Sequence, residues 1–170
     1  MIIPGEKIQL RFPILSDLKQ ILIWENEDES GMVNWSNKKI NENEIFEWFN
    51  SLINDLPSEK QLRFIILDKF KGDILGSIDL FEFDELNQTV GVGIIINPDK
   101  RNRGIATESL KLVLAYCFKN LKIKNIWCHI DLKNIQSIRL FEKFGFKILN
   151  KTYSPNLNRE ILFLQLNLSV

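Results

Sequence analysis

Three apolar runs separated by short polar turns, at residues 61–68, 74–83 and 88–97, constrain the fold of this chain more than any other feature. Residues 71–73, Lys-Gly-Asp, separate the first two runs, and residues 84–87 separate the second from the third. Strand-length runs joined by turns of this kind are typical of an antiparallel meander. The sequence therefore predicts a β-sheet at the centre of the molecule.

Alternating helical and strand-like segments surround the meander. Apolar periodicity predicts a strand at 7–12, helices at about 17–26 and from Asn41, a helix at about 104–120, a strand at 123–130, a helix at 134–144, and strands at 146–149 and 160–168. This order predicts an α/β (α+β) fold in which helices pack on one mixed sheet. We see no linker or repeat, so we expect one domain over residues 1–170.

Composition excludes several classes of protein. Hydrophobic content is 45% and charged content 26%, as in ordinary globular proteins. No apolar run approaches the roughly 20 residues of a membrane-spanning helix, and the first residues do not resemble a signal peptide. Cys117 and Cys128 form no CxxC pair, and His129 is the one histidine, so we expect no metal site. These features favour a cytoplasmic protein that has no membrane partner.

Charge is unevenly distributed although the net charge is zero. Residues 1–100 contain 18 acidic and 10 basic side chains, whereas residues 101–170 contain 4 acidic and 12 basic ones. Such asymmetry indicates either a ligand whose parts carry opposite charges or two solvated faces of one fold. The basic residues do not form runs interleaved with aromatic residues, so we expect no nucleic-acid partner.

The segment RNRGIATESL, residues 101–110, lies where a predicted strand gives way to a helix. The first turn of a helix presents backbone N–H groups that have no partner within the helix, and their dipoles favour an anion such as a phosphate. Gly104 and Ala106 would let such a ligand approach the backbone, and Arg101 and Arg103 add positive charge. The pattern predicts either a diphosphate site or simple helix capping. It matches neither the phosphate loop of nucleoside triphosphatases nor the dinucleotide fingerprint.

Two motifs in residues 88–149 resemble those of the GCN5-related N-acetyltransferases. One is Q/R-x-x-G-x-G/A, present here as Arg101, Gly104 and Ala106. The other is N-x-x-S/A-x-x-L-Y-E-K-x-G-F, present here as NIQSIRLFEKFGF from Asn134 to Phe146. The resemblance implies a mostly antiparallel sheet of about seven strands flanked by four helices, splayed between the fourth and fifth strands. It also implies an enzyme that uses acetyl-CoA.

The resemblance also assigns the cofactor-binding residues. The backbone of one strand would pair with the pantetheine arm, the opening of the following helix would hold the diphosphate, and the helix of the second motif would contact the pantetheine and the outer phosphates. Glycines 91 and 93 would either ease the splay or mark a bulge. The predicted cofactor residues are Ile94, Ile95, Ile96, Arg101, Asn102, Arg103, Gly104, Ile105, Ala106, Thr107, Asn134, Ser137, Phe141 and Lys143, with Arg139 as a further neighbour of the phosphates.

One catalytic residue of the family pattern is missing. Phe141 occupies the position of the tyrosine that protonates the leaving sulfur in much of the family, and a phenyl ring has no proton to give. Tyr116 is expected in the core, and Tyr153, which follows the strand at 146–149, is not assigned this role. For the base that accepts the amine proton, Glu82 is the candidate. Strand alternation places it on one face with Asp84 and Leu80, opposite residues 79, 81 and 83.

Within the family, the chain most resembles the bacterial spermidine/diamine acetyltransferases. That resemblance implies direct transfer of an acetyl group to a primary amine, a small-molecule polyamine acceptor and a homo-oligomer. The predicted amine-binding residues are Glu25, Glu29, Trp35, Glu82 and Asp84. The alternatives are an acetyltransferase of a protein N-terminus, as of a ribosomal protein, or of an aminoglycoside, and a non-catalytic module that binds acetyl-CoA.

Overall fold

A sheet of eight strands forms the centre of the structure, a computed structural model that describes residues 1–27, 39–155 and 158–168. The strands are β1 (Ile2–Pro4), β2 (Ile8–Arg11), β3 (Leu62–Asp68), β4 (Ile74–Asp84), β5 (Thr89–Ile96), β6 (Asn125–Asp131), β7 (Lys147–Ser154) and β8 (Arg159–Asn167). They lie in the order β1-β2-β3-β4-β5-β6-β8-β7. Neighbours are antiparallel except β5 and β6, which are parallel. The mixed, mostly antiparallel sheet is confirmed, with one strand more than expected. The extra strand is β1, whose three residues are too few to give a pattern.

Five α-helices occur in the described part of the chain. They are α1 (Leu18–Glu27), α2 (Glu42–Ser51), α3 (Leu56–Glu59), α4 (Ile105–Tyr116) and α5 (Ile135–Lys143). The four longer helices confirm the prediction, and α3, a helix of four residues, was not predicted. Beyond α4, Cys117–Leu121 continues as a π-helical turn. None of these helices is long and apolar enough to cross a membrane.

Asn41 caps α2, as its position before an amphipathic segment predicts. Its side chain accepts hydrogen bonds from the backbone N–H groups of Asn43 and Glu44, at 2.9 and 3.0 Å. The Glu44 carboxylate in turn accepts the N–H of Asn41 at 2.9 Å. This reciprocal pair satisfies donors that the first helical turn leaves without partners, and such caps typically stabilise a helix by about 1 kcal/mol.

The helices cover both faces of the sheet. Because alternate residues of a strand point to opposite faces, Phe64 and Ile66 contribute to the core beneath α4 and α5, on the face we call the first face. Ile65 and Leu67 point to the other, second face, where they pack against Ile21, Trp24 and Ile45 of α1 and α2. Ligand groups that pass between strands of the sheet would therefore meet different helices on its two sides.

The strands β5 and β6 diverge after three residue pairs. Thr89, Val90 and Gly91 pair with Asn125, Ile126 and Trp127, and no further pair joins the two strands within the described residues. Beyond this point the backbone groups of β5 that face β6 lack a strand partner, so they are free to bind another molecule. The predicted splay between the meander's last strand and the strand at 123–130 is confirmed.

Candidate functional site

A cavity of about 1360 Å³ lies at the opening between β5 and β6. Its wall includes residues of β4, β5 and β6, the segment that leads into α4, and the helices α1, α2 and α5. Of the predicted cofactor residues, twelve line it: Ile94, Ile95, Ile96, Arg101, Asn102, Gly104, Ile105, Ala106, Thr107, Asn134, Ser137 and Phe141. Arg139 is also part of the wall, whereas Arg103 and Lys143 are exposed elsewhere.

The start of α4 is built differently from the starts of α2 and α5. Asn41 and Asn134 cap those two helices with their side chains. The residue before α4 is Gly104, which has no side chain and a φ of 80°, in the left-handed region that glycine adopts at least cost. A Cβ at this position would meet no atom within 4 Å, because the space in front of it is open. The first amides of α4 therefore face the cavity uncovered.

The arginines beside this helix start make backbone contacts. Arg101 Nε donates to the carbonyl of Ile96 at 3.1 Å, and Arg103 Nη2 donates to the carbonyl of Asp99 at 3.1 Å. Both bonds brace the turn between β5 and α4. Arg101 thus keeps its positive charge at the cavity wall while it fixes the end of β5.

Asn134 is the N-cap of α5. Its Oδ1 atom accepts the backbone N–H of Ser137 at 3.1 Å. The Nδ2 group is therefore the part of this side chain that would donate a hydrogen bond to a ligand. The same residue can fix the helix and contact a bound molecule, because the two roles use different atoms.

Arg63, Asp79 and Glu25 form a charge cluster on the second face of the sheet. Arg63 donates two hydrogen bonds to Asp79, at 2.9 and 2.8 Å, and contacts Glu25 at 2.7 Å. Its guanidinium lies 5.3 Å from the ring centroid of Trp48. Burial alone would lower the pKa of Arg63, but the charges and hydrogen bonds of Asp79 and Glu25 raise it above its ordinary value. The cluster carries a net charge of −1 and all its members line the cavity.

A β-bulge interrupts β4 at Glu82. Phe81 pairs with Gly91 and Asp84 with Thr89, so one extra residue lies on β4 between these pairs. The predicted alternation is wrong beyond Phe81, because the bulge turns Phe83 into the core while Glu82 is exposed, with a φ of 51°. Glu82 thereby joins the wall of the cavity.

Gly91 makes room for the side chain of Phe81. A Cβ on Gly91 would lie 2.5 Å from the Phe81 ring, and one on Gly93 would lie 3.5 Å from it. The bulge predicted as one reading of these glycines lies instead on the neighbouring strand, at Phe81 to Asp84. The two glycines of β5 therefore leave room for the aromatic ring of Phe81 on β4.

His129 lines the cavity from β6. Its ring lies 5.1 Å from that of Trp127 and 5.2 Å from that of Phe163, measured between centroids. Burial lowers the pKa of His129 below its ordinary value, and the negative charge of Glu82 partly opposes this. The imidazole is therefore neutral near pH 7 and able to accept a proton.

Phe141 lines the same cavity from α5 and is buried, with 2% of its surface exposed. Its ring packs edge-on against that of Phe146, 4.9 Å away. No tyrosine belongs to the described cavity wall. Tyr116 packs edge-on against Phe64 in the core, as expected, and Tyr153 is an exposed residue of β7 that hydrogen-bonds Asn158.

The predicted amine-binding residues are only partly brought together. Glu25 and Glu82 line the cavity, whereas Asp84 does not. Asp84 accepts hydrogen bonds from the side chain and the backbone of Asn87 at 2.6 and 3.1 Å, and these bonds lower its pKa. These hydrogen bonds stabilise the turn between β4 and β5. Glu29 and Trp35 lie outside the described residues.

Several residues of the cavity wall were missed by sequence reasoning, among them Arg63, Asp79 and His129. Arg63 and Asp79 are charged residues within otherwise apolar strands, a signal that was available but did not reveal that they pair. His129 was considered only as a metal ligand. In the described part of the chain, no group of three or more His, Cys, Asp or Glu side chains is placed to hold a metal ion.

Comparisons with known proteins agree on one family. The spermidine N(1)-acetyltransferase of Vibrio cholerae is 28% identical over 103 residues, which make up 61% of this chain and 57% of that relative. The match thus spans little more than half of the relative's length. A crystal structure of the Vibrio cholerae spermidine N-acetyltransferase in complex with CoA and spermine has a TM-score of 0.82 at 21% identity, covering 96% of each chain. A dodecameric structure of the Vibrio cholerae enzyme gives 0.81 at 21% identity, covering 96% of this chain and 95% of that one.

These structural neighbours show the fold. The family assignment rests on the sequence model of the acetyltransferase (GNAT) domain, which matches residues 7–147. That stretch contains both motifs, the opening between β5 and β6 and the uncapped start of α4. The chain therefore belongs to the acetyltransferase (GNAT) domain family.

Proposed function

We propose that this chain is an N-acetyltransferase that moves the acetyl group of acetyl-CoA to a primary amine of a polyamine or diamine. The observation that carries the proposal is a single cavity that joins the open start of α4 to an acidic wall. The relatives named above act on spermidine, and one neighbour binds spermine and CoA. The fold, the family and the cavity support the same chemistry.

The region around α4 fits the anionic part of acetyl-CoA. The first amides of α4 have no intrahelical acceptor, and Gly104 leaves the space before them open. Lys100, Arg101 and Arg139 add three positive side chains to the cavity wall. A diphosphate group matches both the amide donors and the charge.

The opposite part of the wall fits a cation. Glu25, Glu44, Asp79 and Glu82 line it, and Arg63 offsets one of their four charges. A polyamine carries several ammonium groups, so the acidic surplus matches its charge. The ring of Trp48 already contacts the guanidinium of Arg63, which indicates that this wall accommodates a cation on an aromatic face.

Acyl transfer requires a neutral amine, donors for the developing oxyanion and a proton for the leaving sulfur. Bound acetyl-CoA supplies the activated acetyl thioester. Backbone N–H groups of β5 at Ile94 to Ile96, which line the cavity where β6 has turned away, are the candidate oxyanion donors. Glu82, the candidate base from sequence, lines the same cavity as His129, and its negative charge acts on the imidazole.

Thiol release on mixing the chain with acetyl-CoA and a panel of amines tests the proposal. The panel contains spermidine, putrescine, a peptide with a free N-terminus and an aminoglycoside. We expect free coenzyme A to appear with the polyamines and not without an amine. Release with only the peptide or only the aminoglycoside would indicate that the acceptor is a protein N-terminus or an aminoglycoside and not a polyamine.

A non-catalytic module that binds acetyl-CoA is the second candidate, because Phe141 removes the usual proton donor while keeping the cavity wall apolar. Calorimetry with acetyl-CoA, combined with the thiol assay, distinguishes an enzyme from a binding module. Tight binding of acetyl-CoA with no thiol release from any amine would indicate a module, whereas amine-dependent release excludes it.

The proposal includes a homo-oligomeric state and a cytoplasmic location for this chain. The dodecameric structure of the Vibrio cholerae relative supports an oligomer, and two buried free cysteines suit a reducing compartment. Light scattering coupled to size-exclusion chromatography would give the mass of the particle. A mass of about one chain would contradict the oligomer without affecting the proposed reaction.

A further inference from the structure

His129 lies at the level of the sheet opening. The last β5–β6 pair joins Gly91 to Trp127, so continuing the parallel register by two residues places His129 level with Gly93. Both residues line the cavity. The imidazole therefore borders the space in which the thioester of a ligand between the strands would lie.

Two aromatic rings hold the imidazole in place. Trp127 precedes His129 by two residues on the same face of β6, and its ring lies 5.1 Å from the imidazole. Phe163 is the cross-strand partner of His129 on β8, with ring centroids 5.2 Å apart. A ring packed on two sides keeps one orientation, as a group that transfers a proton to a bound substrate requires.

Glu82 provides a negative charge at the same part of the wall. Its backbone φ of 51° is uncommon for a residue other than glycine, and such strain often accompanies functional sites. The carboxylate acts electrostatically on His129 and would stabilise its protonated form. Other charged groups on this face, among the described residues, include the Asp131–Arg159 pair, 3.0 Å apart, the cluster of Arg63, Asp79 and Glu25, and Glu44 of α2.

His129 also has the acid–base character that the reaction needs. Burial lowers its pKa, so that the neutral imidazole predominates near pH 7, and the opposing effect of Glu82 keeps that pKa from falling further. In contrast, burial raises the pKa of Cys128, which lines the same cavity, so its thiol stays protonated. A histidine that is neutral before the reaction and charged during it suits a proton carrier.

We propose that His129 is a catalytic residue of the proposed acetyltransferase reaction, accepting the proton of the acceptor amine and returning it to the leaving thiolate in place of the tyrosine that Phe141 replaces. The inference rests on the proposed function. Glu82 has the role of a positioning residue, which stabilises the imidazolium rather than taking the proton itself.

The amine nitrogen forms a bond to the carbonyl carbon of the acetyl group, and its proton moves to the unprotonated nitrogen of the neutral imidazole. The bond between that carbon and sulfur breaks, and the electron pair leaves with the sulfur. The imidazolium then gives its proton to the thiolate, so that an amide, a thiol and a neutral histidine result.

The single histidine of this chain permits a direct test. In protein without a tag, the proton on Cε1 of His129 gives one titrating NMR signal. With coenzyme A and saturating spermidine, we expect this signal to shift and its titration midpoint to move to lower pH, because a bound ammonium group disfavours the imidazolium. An unchanged titration would show that His129 does not contact the amine.

Two variants then distinguish the roles of His129 and Glu82 by the pH dependence of kcat/KM. His129→Gln should lower kcat/KM by about 10²–10⁴-fold, the usual contribution of general acid–base catalysis, and remove the acid limb of the profile. Glu82→Gln should keep that limb but move it to lower pH, because the carboxylate raises the pKa of His129. Glu85→Gln, an exposed change in the β4–β5 turn, is the matched control and should leave the profile unchanged.

The outcomes separate this inference from the function on which it rests. Thiol release by the unmodified chain, together with a full rate and an intact acid limb in His129→Gln, would overturn the role of His129 and leave the proposed function standing. Loss of the limb in Glu82→Gln instead would make Glu82 the base. No thiol release by the unmodified chain with any amine would overturn both proposals. Calorimetry with acetyl-CoA would check that each variant keeps its folded binding site.

Discussion

Arg63 binds Asp79 through two parallel hydrogen bonds between neighbouring strands, at 2.9 and 2.8 Å, and the same guanidinium reaches Glu25 on α1 at 2.7 Å. The three side chains are between 10% and 17% exposed. A cation held in this way joins the sheet to the helices of the second face and sets the charge of the cavity wall.

Loss of Arg63 should therefore destabilise the fold. In Arg63→Met, two nearly buried carboxylates lose the guanidinium that binds both of them, and we expect the free energy of unfolding to fall by about 3–5 kcal/mol. Denaturant titration measures the free energy of unfolding of each variant. The matched control is Lys151→Met, which breaks a pair with Glu160 whose members are 49% and 50% exposed, and should cost less than about 1 kcal/mol. Equal losses in the two variants would contradict a special role for the buried cluster.

Gly104→Glu should abolish binding of acetyl-CoA. The new side chain would occupy the open space before α4 and place a negative charge where the diphosphate is expected. Gly72→Glu is a close control, because Gly72 has a φ of 76° and equally open surroundings but lies in the β3–β4 turn. Both changes should cost about 1–2 kcal/mol of stability through backbone strain. Calorimetry should show lost affinity in the first variant alone.

Phe141→Tyr should keep the fold and raise turnover. Phe141 borders the cavity, so an added hydroxyl would reach the ligand space and supply a second proton donor for the leaving sulfur. Phe146→Tyr is the control, because Phe146 packs against the ring of Phe141 but does not line the cavity. Its hydroxyl would be buried, which should lower stability without raising the rate. A slower Phe141→Tyr enzyme that remains folded would contradict this account.

The two cysteines should be inert in the native protein. Burial raises the pKa of Cys117 to about 12 and also raises that of Cys128, so neither forms the reactive thiolate near pH 8. A chromogenic thiol reagent should detect no thiol in the folded chain and two after denaturation. Rapid reaction of one thiol in the folded state would show that its surroundings are open to solvent.

The parts of the site that follow from local sequence were the ones that could be predicted. The helix start at Gly104 and the cap at Asn134 each lie within a short motif, and the meander follows from alternation over single strands. The bulge at Glu82 could not be predicted, because one extra residue breaks alternation without leaving a mark in composition. The pairing of Arg63 with Glu25 joins residues far apart in sequence, and only packing of α1 on the sheet brings them together.

The proposed role of His129 was missed for a different reason. A lone histidine has many uses, and nothing in the sequence places it at the opening of the sheet. Its position became informative only when the β5–β6 register placed it level with Gly93 and the packing of α5 placed Phe141 in the same cavity wall.

A crystal structure of the chain with acetyl-CoA and spermidine tests the central claim most directly. The account predicts the diphosphate on the amides that follow Gly104, the thioester between β5 and β6, and a spermidine nitrogen within hydrogen-bonding distance of His129. A ligand bound elsewhere on the molecule, or a helix start covered by side chains in the complex, would contradict it.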